Sequence, residues 1–224
     1  MIHERYRPQT WAEVVGNERA VLAVKRLCDK GLGGQALWIS AISGVGKTTL
    51  ARIAAATIAD PLSTREYVAR DLTVADLNRI GKSLHMYGMG KLWGRAVIIN
   101  EAHGLNSACI EVLLDLLEPI PRHVVWIFTT TRLGETKLLN GEIDGGPLYS
   151  RCVPIALSNQ GLAKPFAARF LEVARSEGFE IPATKAMRVI QDCSNNLRAA
   201  YGWLGSPEAL DYLVESPTAA VAAA

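Results

Sequence analysis

The clearest sign of chemistry in the chain is a glycine-rich segment that ends in a lysine and two threonines. Gly44 and Gly46 precede Lys47 and Thr48. Such a loop can bind a nucleoside triphosphate, because backbone amides close around the phosphates, the lysine reaches the β and γ oxygens and the hydroxyl ligates Mg²⁺. A chance glycine-rich turn is the alternative. The residues predicted to bind nucleotide here are Ser43, Gly44, Val45, Gly46, Lys47, Thr48 and Thr49.

The segments that flank this loop have the order that phosphate binding requires. Residues 36–39 are apolar and predict a buried strand, whereas Leu50, Ile53 and Ile58 recur at helical spacing. The loop therefore leads from a strand into the N-terminus of a helix, which favours anions. Ala41 occupies the position at which such loops usually begin with glycine. The opening turn consequently either avoids a positive φ or is strained.

The chain continues as alternating strands and helices, which predicts an α/β fold with a parallel sheet that is covered on both faces. Apolar runs predict further strands at residues 96–99, 124–128 and 153–157. From residue 158 onward the pattern is helical only. We therefore expect a nucleotide-binding α/β domain at residues 1–157, a small all-α domain at 158–215 and a disordered tail at 216–224.

Composition and charge limit the class of protein. The chain has 224 residues, of which 49% are hydrophobic and 21% charged, and its formal net charge is +2. No apolar run approaches the roughly 18 residues of a membrane span, and residues 1–10 are too polar for a signal peptide. We expect a cytoplasmic protein with no membrane partner. The small net charge argues against a strongly basic nucleic-acid module but leaves a local basic strip open.

The cysteines give no sign of a disulfide framework or a metal site. Cys28, Cys109, Cys152 and Cys193 are isolated, without CxxC spacing and without a companion histidine cluster. Paired spacings of that kind are what disulfide-rich and zinc-binding sequences show. We therefore expect core thiols, no disulfides and no zinc.

Several short motifs occur in one order along the chain, and that joint order is specific. They are YRPQTWAEVVGNE at residues 6–18, SGVGKTT at 43–49, NEAHGL at 100–105, LLDLLEPIPRHVVWIFTTT at 113–131, SRC at 150–152 and NLRAA at 196–200. Over residues 6–204 the chain resembles the AAA+ ATPase subunits of sliding-clamp loaders, most closely the gamma/tau subunit of bacterial DNA polymerase III and more distantly the small subunits of replication factor C. The resemblance implies an AAA+ P-loop fold whose all-α domain is a lid.

The resemblance also implies roles for residues outside the phosphate loop. Glu101 resembles the carboxylate that orients the attacking water in phosphoryl transfer, and Thr131, or alternatively Thr130, resembles the polar sensor of the γ-phosphate. A solvent-facing glutamate at a strand end and ordinary strand threonines are the alternatives. The segment that packs around the adenine in the family is matched by Arg7, Pro8, Val15 and Gly16.

Two arginines match family positions, one of which contacts nucleotide in its own subunit and the other nucleotide in a neighbouring subunit. Arg198 resembles the lid arginine that contacts nucleotide on its own subunit, and Arg151 resembles the arginine that reaches the γ-phosphate of a neighbouring subunit. A surface-helix arginine and a local salt bridge are the respective alternatives. With the neighbour's arginine counted, the predicted catalytic residues are Lys47, Glu101, Thr131 and Arg151.

The sequence departs from the family at three places. Asn100 stands where the Walker B acid usually precedes the catalytic glutamate. An amide still accepts a hydrogen bond from Mg²⁺-bound water but cannot offset cation charge, so we expect weaker Mg²⁺ binding and slower turnover with ATP binding retained. The zinc-binding insertion of the bacterial subunit has no counterpart in this sequence. The family's collar domain also has none, so we expect no assembly through a collar.

The resemblance leads to an expected function. We expect an ATP-binding, Mg²⁺-dependent, ATP-hydrolysing clamp-loader-like subunit that acts in DNA replication. Its implied partners are other AAA+ clamp-loader subunits or further copies of itself, a sliding clamp, and primer-template DNA through residues 68–83. An ordinary solvated helix face is the alternative for that segment. The alternative functions are a scaffold subunit of low turnover that donates Arg151, and an AAA+ recombination or transposition helper.

Overall fold

The computed structural model describes residues 1–131, 137–138 and 143–206 of the chain. The described strands are β1 (Gln35–Ser40), β2 (Thr64–Val68), β3 (Arg95–Asn100), β4 (Val124–Thr130), β5 (Lys137–Leu138), β6 (Ile143–Asp144) and β7 (Val153–Ala156). The strands predicted from apolar runs are thereby confirmed. The edge strand β2 was not predicted from the sequence.

Helices occupy most of the remaining described chain. They are α1 (Ile2–Arg5), α2 (Glu18–Lys30), α3 (Lys47–Ala55), α4 (Val74–Ser83), α5 (Ser107–Leu117), α6 (Gly146–Ser150), α7 (Ala163–Ser176), α8 (Ala183–Asp192) and α9 (Leu197–Trp203). The described elements that follow β7 are all helices, as the sequence predicts. The boundary at residue 157 stays a prediction, and the tail predicted at 216–224 lies outside the described residues.

The main sheet has five parallel strands in the order β2-β3-β4-β1-β7. Parallel neighbours need crossover connections, and the intervening helices cover both faces of the sheet. In this order β4 lies between β1, which leads into the phosphate loop, and β3, which ends at Asn100 and leads into Glu101. The carboxyl ends of these three strands therefore meet at one edge, where ligands of open α/β sheets bind.

Alternation along each strand divides the apolar side chains between two cores. The α3-face core contains Ile98 and Ile127 of the sheet together with Phe166 and Phe170 of α7, so the sheet and the C-terminal helices share it. The α5-face core contains Ile99 and Phe128 and packs against α4, α5 and α6. Because strand positions two apart share a face, polar residues that end β3 and β4 are assigned to one face or the other by their position alone.

One apolar segment that could have been core is exposed. Met86, Tyr87, Met89 and Trp93, between α4 and β3, are 60%, 64%, 76% and 71% exposed. The chain turns back there through a pairing of Ala59 with Trp93. Among the described residues, no helix is long and apolar enough to cross a membrane.

Candidate functional site

The phosphate loop is held in shape by its glycines and its lysine. Gly44 and Gly46 have φ angles of 82° and 104°, in the left-handed region that glycine tolerates best. The Lys47 ammonium donates hydrogen bonds of 2.9 Å to the carbonyl oxygens of both Ala41 and Ile42. The lysine thus folds back over its own loop at the start of α3. Ala41 is not among the described residues with positive φ, so the opening turn avoids that strain.

Most of the predicted nucleotide-binding residues line one pocket between the phosphate loop, the N-terminal segment and the C-terminal helices. Those in the pocket are Arg7, Pro8, Val15, Ser43, Gly44, Val45, Gly46, Lys47, Thr48, Thr49, Glu101 and Arg198. The pocket is therefore assembled from segments far apart in the sequence. Residues that also line it but were not predicted are His3, Tyr6, Val14, Phe166, Arg169, Leu197 and Tyr201.

Charge in the pocket suits a polyanion. Lys47, Arg7, Arg169 and Arg198 line it, and Glu101 is the carboxylate among the lining residues. The Nε atoms of Arg7 and Arg169 are buried and have no hydrogen-bond partner in the protein. Buried donors of that kind are costly unless a partner arrives. An anionic or hydrogen-bonding ligand would provide one, so the residues present fit a nucleotide.

The burial and the pKa of Lys47 also indicate that the pocket suits an anionic ligand. Lys47 is buried, with 7% of its surface exposed to solvent. Burial lowers the pKa of Lys47, the Glu101 carboxylate raises it in part, and Arg198 lowers it further. Burial disfavours the charged ammonium, whereas a nearby anion favours it. A bound polyphosphate would consequently relieve the cost of burying this charge.

The phosphate loop touches the C-terminal helices directly. A Cβ atom built on Gly44 would lie 1.9 Å from Asn196 Oδ1, so only glycine fits between the loop and that side chain. Asn196 in turn caps α9 by accepting a 3.1 Å hydrogen bond from the amide of Ala199. The same helix carries Arg198 into the pocket. The phosphate loop and the start of α9 are therefore in direct contact.

Glu101 lies in an uncommon backbone conformation at the end of β3. Its φ of 55° is left-handed, which costs a non-glycine residue roughly 1–2 kcal/mol. The carboxylate lies 3.5 Å from Nε2 of His103, and Nδ1 of that ring lies 3.2 Å from the Thr130 hydroxyl. Strain of this type is found where function fixes a side chain. His103 stands in the NEAHGL motif, which is the signal that could have identified it as part of the site.

Both ends of the Asn100 side-chain amide form hydrogen bonds within the chain. Its Oδ1 accepts hydrogen bonds from the hydroxyls of Thr48 at 3.3 Å and Thr129 at 2.8 Å. Its Nδ2 donates to Glu66 Oε1 at 2.6 Å. The amide oxygen thus faces the hydroxyl that is predicted to ligate Mg²⁺.

Four predicted site residues do not line the pocket. Asn100 accepts a hydrogen bond from Thr48, which does line the pocket. Gly16 packs against the side chains of Leu162 and Phe166, where a Cβ would lie 2.5 Å from Leu162 Cδ2. Thr131 follows the end of β4. Of the three threonines it is Thr129 and Thr130 whose hydroxyls bond to Asn100 and His103. The fourth is Arg151.

Arg151 lies at a separate corner of the molecule. It follows α6, and its guanidinium donates 2.8 Å to the Glu118 carboxylate and 3.1 Å to the Pro147 carbonyl. The side chains of Arg151 and Glu118 are 32% and 66% exposed. The local salt bridge that the sequence left open as an alternative therefore exists in this chain.

The N-terminal segment is tied to the end of α7 through one carboxylate. Glu177 accepts hydrogen bonds of 2.6 Å from the guanidinium of Arg5 and of 2.6 Å from the Tyr6 hydroxyl. The bond to Tyr6 lowers the pKa of Glu177 and raises that of Tyr6. Because Tyr6 lines the pocket, this link positions one wall of it.

In the segment predicted to contact DNA, one of the three basic residues is paired on its own helix. Within α4, Arg79 pairs with Asp76, which also forms a capping box with Thr73. The arginine is thereby engaged on its own helix, as on an ordinary solvated face. Arg70 and Lys82 are the other basic residues of residues 68–83, and both are exposed.

Comparison with known sequences finds relatives among replication proteins. The chain is 27% identical over 154 residues to the DNA polymerase III subunit gamma/tau of Mycobacterium tuberculosis, an alignment that covers 58% of this chain and 27% of that protein. It is 23% identical over 217 residues to the gamma subunit of Buchnera aphidicola, covering 87% of this chain and 57% of the relative. The chain thus spans only part of the relatives it matches. No family model matches it.

Comparison with solved structures identifies the fold. The Thermotoga maritima RuvB Holliday junction branch migration motor superposes with a TM-score of 0.70 at 24% identity, over 89% of this chain and 64% of that one. An A156S mutant of RuvB superposes with a TM-score of 0.71 at 22% identity, over 90% of this chain and 65% of that one. The chain therefore has the fold of these RuvB structures, with helices in its C-terminal region, and it resembles gamma and gamma/tau subunits of DNA polymerase III in sequence.

Proposed function

We propose that this chain is an AAA+ ATPase of DNA metabolism that binds ATP with Mg²⁺ and works as a clamp-loader-like subunit. The observation that supports this most directly is the pocket, in which Lys47 and Arg198 approach from the phosphate loop and from α9. Sequence similarity to gamma/tau subunits supports the replication setting. A sliding clamp, sister subunits and primer-template DNA are the partners this proposal implies.

Each side chain has a task in the proposed reaction. The loop amides and Lys47 hold the β and γ phosphates, and Thr48 holds the cation, whose charge would offset that of the phosphate oxygens. Glu101 orients the water that attacks the γ-phosphate, and His103 fixes the Glu101 carboxylate against the end of β4. Arg198 couples the bound phosphates to the position of α9.

We place the remaining charge in a neighbouring subunit. Arg151 does not line the pocket of its own chain, and its side chain is 32% exposed. An ion pair with an exposed glutamate is worth only about 0–1 kcal/mol, so it is easily exchanged for a stronger partner. In the proposed assembly that partner is the γ-phosphate bound to the next subunit.

A scaffold subunit of low turnover is the second candidate, and Asn100 favours it. A neutral amide at this position leaves the cation with one carboxylate fewer than an aspartate would supply. In that role the chain would bind ATP, close around it and donate Arg151, while hydrolysing little itself. Single-turnover rates of the purified chain separate the two candidates.

Nucleotide binding is the first test. Titration of a fluorescent ATP analogue should show Mg²⁺-dependent binding by the wild type and no measurable binding by Lys47→Ala, because the buried ammonium that meets the phosphates is gone. Lys25→Ala, on the exposed face of α2, is the matched control and should bind like the wild type. Equal affinity of the wild type and Lys47→Ala would refute the proposed function.

A further inference from the structure

Glu66, on the edge strand β2, takes part in a closed ring of hydrogen bonds that reaches the proposed cation site. It accepts 2.6 Å from Asn100 Nδ2, and it accepts 2.8 and 3.1 Å from the Nε and Nη2 atoms of Arg52. Arg52 and Thr48 belong to α3, and Thr48 donates back to Asn100. The ring therefore runs from α3 to β2, to β3 and back to α3.

We propose that Glu66 is a positioning residue that holds the Asn100 amide with its oxygen toward Thr48 and thereby sets how well this chain uses Mg²⁺ with nucleotide. The inference rests on the proposed function. Glu66 itself does not line the nucleotide pocket among the described residues. It acts through Asn100.

The chemistry of the amide explains why a positioning residue is needed. An asparagine side chain has an acceptor end and a donor end of nearly the same shape, whereas an ionised glutamate only accepts. Glu66 therefore selects the Nδ2 end of Asn100 and leaves Oδ1 for the two threonine hydroxyls. With the amide reversed, its donor end would face Thr48 and the cation, where a positive dipole is unfavourable.

The fold brings these residues to one face by strand alternation. Glu66 is paired with Ile98 in the β2-β3 register, and Asn100 lies two positions further along β3 on the same face. Side chains diagonal to each other across neighbouring strands are within reach when they are long. Thr48 and Arg52 are four residues apart on α3, which places them on one side of that helix.

Glu66 also places a negative charge next to the neutral side chain of Asn100. In the clamp-loader family the residue at position 100 is an acid, whereas here the carboxylate stands one strand away. The Glu66 side chain is 29% exposed. Its hydrogen bonds raise the pKa of Arg52, and the positive charge of that guanidinium offsets part of the carboxylate's negative charge. An aspartate at position 100 would face Glu66 at about the distance the amide does now, and like charges that close repel.

The hydrogen bond between Glu66 and Asn100 leads to a prediction for variants that move the negative charge from residue 66 to residue 100. Glu66→Gln removes the group that specifies the orientation of the amide and should weaken the gain in nucleotide affinity caused by Mg²⁺ about 3- to 10-fold, the size of one hydrogen bond. Asn100→Asp alone should not improve on the wild type, because the two carboxylates repel. The double variant Asn100→Asp with Glu66→Gln should recover the full Mg²⁺ gain or exceed it.

The experiment is a titration of a fluorescent ATP analogue with and without Mg²⁺, with thermal unfolding of each ligand-free variant. Glu111→Gln, on the exposed side of α5, is the matched control and should change neither quantity. Amide proton signals of Asn100 in ¹⁵N-resolved spectra of the ligand-free protein should shift in Glu66→Gln. That readout does not depend on nucleotide.

The outcomes separate the inference from the function it rests on. A wild type that binds no nucleotide under either condition refutes the proposed function. Nucleotide binding with an equal Mg²⁺ gain in the wild type and Glu66→Gln, accompanied only by lower stability, would make Glu66 a structural residue and overturn the inference. The inference also fails if Asn100→Asp alone matches the double variant.

Discussion

The nucleotide pocket and the corner that carries Arg151 are supported by the cores on opposite faces of the main sheet. Their cationic side chains differ in how far they are buried. Around the pocket, Lys47 is buried and bonded within its loop, and Asn100 has partners at both ends of its amide. At the other corner, Arg151 is part exposed and rests on an exposed glutamate. The chain itself supplies partners for Lys47 and Asn100, whereas it holds Arg151 where another molecule can reach it.

The two regions also differ in what supports them. The pocket is built over the α3-face core, which the sheet shares with α7, α8 and α9, so a change in the C-terminal helices reaches the phosphate loop. Arg151 follows Leu148 of α6, which packs in the α5-face core. We infer that nucleotide binding depends on packing within one chain, and that phosphoryl transfer depends on contact between two chains. Variants in the two regions should therefore fail in different ways.

The largest effect is expected at the Arg151 corner. Arg151→Ala should lower the ATPase rate of assembled subunits about 10³-fold or more, because an arginine that meets the transferring phosphoryl group across an interface is worth 10³–10⁵. ATP affinity should hardly change. The wild-type rate per subunit should rise with protein concentration, and the variant should lose that rise. Steady-state assays over a concentration series measure both, with Arg175→Ala on α7 as an exposed arginine control.

Glu101→Gln should have the next largest effect and should separate binding from chemistry in the pocket. Loss of the carboxylate that orients water should slow hydrolysis by about 10²–10⁴ while ATP remains bound. Rapid filtration would detect trapped nucleotide. An unchanged rate would leave Glu101 as a strained, solvent-facing residue without a catalytic role.

Two helix caps, each worth about 1 kcal/mol of stability, allow the two regions to be compared through nucleotide binding. Asn196→Ala and Asn106→Ala each remove a cap hydrogen bond, to Ala199 and Cys109 respectively. Both should lower the free energy of unfolding, as measured in urea. Only Asn196→Ala should also weaken nucleotide binding, since Asn196 packs against Gly44. Equal nucleotide affinities would show that the loop does not sense α9.

The smallest effect concerns pH. The hydrogen bond from Tyr6 and the charge of Arg5 lower the folded-state pKa of Glu177. A lowered carboxyl pKa stabilises the fold above its unfolded value of 4.5, and this contribution is lost as pH falls below that value and through the folded pKa. Glu177→Gln should flatten that part of the stability profile in thermal unfolding from pH 3 to pH 7. A profile identical to the wild type would show that the link contributes nothing.

What the sequence could predict depended on local spacing. The phosphate loop, with the strand before it and the helix after it, follows from residues a few positions apart. The ring of Glu66, Asn100 and Arg52 does not, because it depends on which strands are neighbours and on their register. The polar, edge-strand sequence of β2 shows little apolar pattern, so neither the strand nor its glutamate could be found from periodicity.

The most direct test of a site divided between two chains is a mixture of two inactive variants. Arg151→Ala lacks the donated arginine, and Glu101→Gln lacks the carboxylate that orients water, so each retains the half that the other has lost. Mixing them at a concentration at which the wild type is active should give an ATPase rate well above the sum of the two alone. A rate equal to that sum, with Arg151→Ala alone as active as the wild type at every concentration, would contradict the account.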